Sequence, residues 1–306
     1  MSSRLRGVFA PVLTPFNDRL DPDPKRFITH CRWLLDQGVS LAIFGTNSEA
    51  ASLTVNERLA LTEDLLEAGV AAARLMPGTG GCSVMDAVTL TRHAVKNGAG
   101  GVLMLPPFYY KGVADEGLYA YYAEVIERVA SEKLRIYLYH IPQITNVPIS
   151  LNLIGMLRKR YPDTVVGAKD SSGNWDNTRA MLDSFASDGF DVFPASESLL
   201  SRAMPLGAAG CISATVNMNP AGIRAVYEGW NGADGGALQA RADVIRSIFQ
   251  SGPMIPAMKR VLAAFSGAAS WRVVRPPLCA LSDAAAAELL KTLAQAGFDM
   301  PAYPQT

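Results

Sequence analysis

The feature that most constrains this chain is an alternation. Short apolar runs at residues 8–16, 41–46, 75–79, 101–107, 136–142, 165–170, 191–196 and 210–216 are separated by longer stretches with helical periodicity. The runs have the length and residue types of buried strands. The stretches between them, at 26–37, 55–71, 84–97, 116–131, 151–160, 175–187 and 199–206, are each long enough to carry the chain back over a parallel sheet. Eight such units, spaced by roughly 25 to 35 residues, predict an α/β fold of the (βα)8 TIM barrel type. A doubly wound sheet is the other arrangement the alternation permits, but no GxGxxG follows the first run. Residues 220–231 read as the eighth barrel helix. Beyond them, 236–250, 255–266 and 283–296 predict a carboxyl-terminal three-helix appendage. The glycine-rich stretch 229–236 marks the boundary, giving a catalytic barrel at 1–232 and a helical segment packed on it at 233–306.

Charge narrows the partners. The 28 basic and 28 acidic side chains balance, so no basic field invites nucleic acid or an anionic membrane, and small molecules are the expected partners. No stretch reaches the apolar length of about 18 residues needed to span a bilayer, and Met1-Ser2-Ser3-Arg4-Leu5-Arg6-Gly7 leads straight into the first run without a signal-length apolar core. Cys31, Cys82, Cys211 and Cys279 form no CxxC pair. That argues against zinc ribbons and disulfide frameworks and predicts a reducing, cytoplasmic setting.

In a barrel of this kind the reactive groups stand at the carboxyl ends of the strands. The first run carries Thr14-Pro15 there, and the second Gly45-Thr46-Asn47-Ser48-Glu49. The fourth ends in Pro106-Pro107-Phe108-Tyr109-Tyr110, the fifth carries Tyr137-Leu138-Tyr139-His140, and the sixth Val165-Val166-Gly167-Ala168-Lys169-Asp170. Most lysines are solvated surface charges. Lys169 differs in closing a short apolar run that turn residues follow at once, where desolvation would lower an amine's pKa and free it to attack a carbonyl. With only His30, His93 and His140 available, no set of donors suggests a catalytic metal, and no GxSxG or Walker loop is present. A lysine among phenols and hydroxyls is what Schiff-base carbonyl chemistry needs, without a cofactor: an amine for the imine and a proton carrier for dehydration and carbon–carbon cleavage. Plainer roles stand beside these. Thr46 and Asn47 also suit helix capping, Glu49 a capping or supporting carboxylate, Tyr109 and Tyr110 packing, and Gly78-Thr79-Gly80-Gly81 a tight turn. His140 reads as structural.

Four stretches, in this order and spacing, carry a resemblance: Gly45-Thr46-Asn47-Ser48-Glu49-Ala50, Tyr139-His140-Ile141-Pro142, Gly167-Ala168-Lys169-Asp170-Ser171-Ser172 and Ile212-Ser213-Ala214-Thr215-Val216-Asn217. Together they resemble the dihydrodipicolinate synthase and N-acetylneuraminate lyase family, with the likeness running from about Gly7 to Ala296. The resemblance implies a class I lyase that forms an imine between lysine and pyruvate or another 2-oxo acid, and a homotetramer built as a dimer of dimers. It implies Lys169 as imine former, Tyr139 as proton shuttle, Thr46 as relay, and Thr46 with Asn47 as holders of the 2-oxo acid's carboxylate. Tyr109 or Tyr110 would complete the relay from the adjacent subunit. Two departures bear on the substrate. Synthases of the family resemble this chain but carry an arginine just after the Tyr-x-x-Pro segment for the carboxylate of their aldehyde, where Ile144 stands here. The sialic acid lyases have an acidic pair where this chain reads Ala195-Ser196-Glu197-Ser198-Leu199. The expectation is therefore an aldolase that releases pyruvate and an aldehyde from a shorter 2-oxo-3-deoxy sugar acid or hydroxy-oxo acid, with Asn47, Ser171, Ser196 and Ser198 as hydroxyl contacts. A dehydratase, the dihydrodipicolinate synthase activity, and a catalytically silent 2-oxo acid binding paralogue are the alternatives; intact Lys169 and Tyr139 speak against the last.

Overall fold

The computed structural model describes residues 4–305. In chain order they form β1 (Gly7–Ala10), α1 (Pro24–Asp36), β2 (Ser40–Leu41), α2 (Val55–Glu67), α3 (Val84–Lys96), β3 (Val102–Met104), α4 (Asp115–Val129), β4 (Ile136–His140), α5 (Pro142–Thr145), α6 (Leu151–Arg160), β5 (Val165–Asp170), α7 (Trp175–Phe185), β6 (Asp191–Pro194), α8 (Leu200–Ala203), β7 (Gly210–Ile212), α9 (Pro220–Gly229), α10 (Gly235–Gln250), α11 (Met254–Ser266) and α12 (Asp283–Gln295). Two compact units emerge, residues 4–7 with 71–212, and residues 8–70 with 213–305. Among the described residues, no helix is long and apolar enough to cross a membrane.

In the 71–212 unit, β3, β4, β5 and β6 pair in that order, all parallel. Every residue of β4, β5 and β6 is buried, as expected of a parallel sheet covered on both faces. One face packs on helices: Ile136, Leu138, Ala168 and Val192 join Tyr122 of α4 and Leu157 of α6 in one apolar cluster. Each such side chain contributes about 1.5–3 kcal/mol on burial.

Prolines set where the expected strands end. β1 stops at Ala10 because Pro11 has no N–H to extend a ladder, and Pro142 opens the short helix α5 instead of prolonging β4. The run at 75–79 is reduced to a single bridge, Gly78 to Leu103. Pro77 can only accept there, taking the Leu103 N–H at 2.9 Å, while Thr79 donates to Leu103 at 2.9 Å. The helix expected at 199–206 is broken into α8 and flanking 3-10 turns, with Pro205 removing a donor.

In the other unit β1 pairs with β2 in parallel, Phe9 facing Ser40 and Ala10 facing Leu41. The second run, expected at 41–46, stops at Leu41: Phe44 takes a left-handed conformation (φ 59°) and Thr46–Ser48 folds into a 3-10 turn. The last run is likewise cut short, Ala214–Asn217 being a 3-10 turn. α10, α11 and α12 stand at the three helical segments expected after residue 233. α2 begins with a capping box, in which the Thr54 hydroxyl accepts the Glu57 N–H at 3.2 Å and the Glu57 carboxylate accepts the Thr54 N–H at 2.8 Å.

Candidate active site

In the 71–212 unit, Lys169 and Tyr139 face each other across neighbouring parallel strands. The register that pairs them depends on an irregularity. Ile136 lies opposite Val165, but Tyr137 lies opposite Gly167, so β5 carries one extra residue, Val166. Without that bulge Tyr139 would face Ala168, and Lys169 would share a face with the apolar cluster. With it, Val165 and Ala168 both reach the cluster, and Gly167 and Lys169 share the opposite face with Tyr137 and Tyr139. Gly167 is required there: a Cβ would meet the Tyr137 ring at 2.6 Å and the Asp191 carbonyl oxygen at 2.4 Å. The Tyr137 ring, edge-on to Phe193 at 5.7 Å, fills that layer and leaves Lys169 one step further along.

Lys169 and Tyr139 are each 2% exposed. The Lys169 Nζ donates to the Tyr139 hydroxyl at 3.3 Å and lies 4.3 Å from the centre of its ring. The hydrogen bond is long, while an ammonium over a phenol face gains cation–π attraction. The amine thus sits within reach of a phenol and is not locked to it.

The next residue anchors the strand end. The Asp170 carboxylate accepts from the Ser172 N–H at 2.9 Å, the Asn177 side-chain amide at 3.0 Å and the Thr178 hydroxyl at 2.6 Å. It ties β5 to the first turn of α7 and is spent on that task. His140 is buried, and its Nδ1 accepts the Ile149 N–H at 3.0 Å; burial holds its pKa below the usual histidine value, against a smaller opposing pull from Asp170. It acts as a strut between β4 and the loop before α6.

Around the carboxyl ends of these strands, the Ser171 Oγ is buried without a hydrogen-bond partner among the described residues, while the Ser171 carbonyl accepts from Gln143. The Ser196 hydroxyl accepts the Ser198 N–H at 3.3 Å across a buried Glu197. Tyr109 and Tyr110, 75% and 73% exposed, stack edge-to-face at 5.3 Å. Ile144 is 59% exposed, and Lys111 beside the tyrosines is tied to the Thr145 carbonyl at 2.8 Å. Among the described residues, no three His, Cys, Asp or Glu gather as metal donors.

Thr46 and Asn47 belong to the other unit, in the Thr46–Ser48 turn. Its first hydrogen bond runs from the Ser48 N–H to the Gly45 carbonyl at 3.1 Å. Ser48 is buried and pinned. Its hydroxyl donates to the Val12 carbonyl and accepts the Gly45 N–H at 3.2 Å, and its carbonyl accepts the Thr14 hydroxyl at 2.8 Å. Glu49, expected as a capping or supporting carboxylate, is buried and meets two partners from the carboxyl-terminal segment, Lys259 and the Arg275 backbone. Lys259 escapes sequence reasoning. The signal for it is a cation inside the otherwise apolar α11, but Arg260 follows it, and spacing does not say which of the two turns inward.

Comparison with known proteins finds relatives that cover most of the chain. The family model described as the dihydrodipicolinate synthetase family matches residues 4–296. An uncharacterised DapA-like lyase of Chloroflexus aurantiacus is 32% identical over 287 residues, covering 93% of this chain and 94% of that one. A 4-hydroxy-tetrahydrodipicolinate synthase of Thermus thermophilus is 34% identical over 224 residues, 73% of each chain. The crystal structure of dihydrodipicolinate synthase from Agrobacterium tumefaciens superposes with a TM-score of 0.87 at 30% identity, covering 95% of this chain and 99% of that one. The fold class is accordingly the (βα)8 barrel with carboxyl-terminal helices that the sequence alternation predicts.

Proposed function

Since the chain belongs to the dihydrodipicolinate synthetase family, we propose that it is a class I lyase that joins a 2-oxo acid to Lys169 as an imine and reversibly releases pyruvate and an aldehyde. The observation that carries this reading is the buried pair, an amine 3.3 Å from a phenol at the end of a strand. The Lys169 Nζ, as free amine, attacks the C2 carbonyl of the 2-oxo acid. Tyr139 gives its proton to the carbinolamine hydroxyl, which leaves as water. The protonated imine then draws the electrons of the C3–C4 bond toward nitrogen as the Tyr139 phenolate takes the C4 hydroxyl proton. Aldehyde departs, the enamine takes a proton at C3, and water returns pyruvate and the free lysine.

Thr46 and Asn47 are proposed to hold the 2-oxo acid's carboxylate, a role their turn's N–H groups suit, and Thr46 to relay protons. Ser171, Ser196 and Ser198 are proposed as contacts for substrate hydroxyls; the Ser171 Oγ, buried without a partner among the described residues, supports the first of these. Exposed Ile144 offers an aldehyde carboxylate no charged grip, which favours a 2-oxo-3-deoxy sugar acid or hydroxy-oxo acid over the synthase substrate. Dehydration starts from the same imine and differs only in the bond that breaks next. The exposed Tyr109 and Tyr110 support a tetramer in which one of them reaches a neighbour's site.

Borohydride reduction in the presence of pyruvate tests the reading. The expected result is a reduced adduct on the peptide bearing Lys169, lost in Lys169→Ala; no adduct at saturating pyruvate overturns it.

A further inference from the structure

The turn that carries Thr46 and Asn47 is flanked by two residues in a conformation their side chains disfavour. Phe44 precedes it at φ 59° and Glu49 follows it at φ 55°, both left-handed and neither a glycine. Such backbone persists only where its surroundings over-determine it. Ser48 is held by Val12 and Thr14, just beyond β1. Glu49, 4% exposed, is held from the far end of the chain: its Oε1 accepts from the Lys259 Nζ, and its Oε2 accepts the Arg275 N–H at 2.8 Å. Lys259 is itself fully buried, donates also to the Val273 carbonyl at 2.8 Å, and lies 4.4 Å from the centre of the Phe16 ring. The Arg275 guanidinium sits 4.7 Å from the same ring and is fixed by the Glu57 carboxylate and the carbonyls of Leu20 and Ser52.

A buried ion pair is a poor stabilising device, because desolvation offsets much of its attraction. Burial pulls the Lys259 pKa down to about 8 even beside Glu49. What the arrangement supplies is a fixed point at the residue that closes the turn. We propose that Lys259 and the Arg275 backbone N–H are positioning groups, acting through Glu49 to hold Thr46 and Asn47 in the conformation that receives the 2-oxo acid's carboxylate. The inference rests on the reading of Thr46 and Asn47 given above.

The test is borohydride trapping of Lys169 at graded pyruvate concentrations, in wild type, Glu49→Gln, Glu49→Ala and Lys259→Met, each normalised to folded protein. Half-saturating pyruvate is expected to rise roughly tenfold or more in Glu49→Ala and Lys259→Met, with the maximal trapping rate within about threefold of wild type. Glu49→Gln, whose amide oxygen still accepts a hydrogen bond, should stay within about threefold in both. If Lys259→Met does not fold, the double variant Lys259→Met/Glu49→Gln, which buries no unpaired charge, carries the same expectation. Unchanged half-saturation in variants that merely melt earlier overturns the positioning role. A wild type that forms no adduct overturns the functional reading instead.

Discussion

At the scale of single residues, the phenol's share of the chemistry separates cleanly from its share of the packing. Tyr139→Phe keeps the ring beneath the Lys169 amine and removes only the hydroxyl, so the strand pairing survives while the proposed proton carrier is lost. Turnover, followed as pyruvate release from 2-oxo-3-deoxy acids, should fall by roughly 10²–10⁴, with the Lys169 adduct still trapped by borohydride but more slowly, since the same phenol serves imine formation. Unchanged turnover would remove Tyr139 from the mechanism. The place of Lys169 was legible in the sequence because it closes an apolar run, where a charged group is exceptional enough to notice, whereas Tyr139 stood out only through the family resemblance. Lys259 was not legible, for the opposite reason. Two adjacent cations interrupt α11, and only packing reveals that Lys259 turns into the core while Arg260 meets Asp283 at the surface. A buried cation is recognised by its partner, and Glu49 lies 210 positions away.

Among the elements, β5 carries the most specific information, and part of it was hidden. Its bounds, 165–170, follow directly from the run of small and β-branched residues and the turn after it. The bulge at Val166 does not, since no residue type marks it, yet it decides which face Lys169 takes. Gly167 is the trace it leaves in the sequence, a glycine inside a strand where another backbone approaches closely. Gly167→Ala places a methyl against the Asp191 carbonyl and the Tyr137 ring, so either β5 moves from β6 or the ring turns out of its layer. The expected outcome is destabilisation of about 1–3 kcal/mol in chemical denaturation, with turnover per folded molecule also reduced because the strain falls two residues from Lys169. Wild-type turnover at reduced stability would show that the register tolerates the shift. The truncated runs teach a related lesson. Their lengths depend on prolines and on left-handed residues such as Phe44, and only a proline can be read directly; the conformation of Phe44 is imposed by tertiary contacts.

At the scale of the whole molecule, the alternation made the barrel legible, but the ties between distant parts of the chain were not. The most consequential of these surrounds His30. Its Nε2 meets the Asn217 Oδ1 at 3.1 Å and its Nδ1 meets the Tyr303 hydroxyl at 3.2 Å. Asn217 leaves little freedom, for its amide donates to the carbonyls of Pro11 and Ala214 at 3.0 and 2.9 Å, and its oxygen also accepts the Leu13 N–H at 3.2 Å. The imidazole therefore carries its proton on Nε2 and accepts the Tyr303 proton on Nδ1, joining α1, the turn after β7 and the last residues of the chain. Enclosed against Trp33 and Trp271, it is held to a pKa of about 4 by burial, with the Asn217 hydrogen bond opposing that shift. The sign of the linkage follows. Above the unfolded value near 6.5, both states carry a neutral imidazole and the contribution is complete. As pH falls from there toward 4, the unfolded chain takes up a proton that the folded one refuses, so stability is lost, by roughly 3 kcal/mol in total. In His30→Gln that titration is gone while the carboxylates common to both proteins remain. The stability of wild type relative to the variant, from denaturant unfolding at pH 7, 5.5 and 4, should therefore shrink by about 3 kcal/mol across the window. Parallel pH profiles would mean that His30 accepts a proton without leaving its site, and that the tie it makes to Tyr303 survives as a charged hydrogen bond.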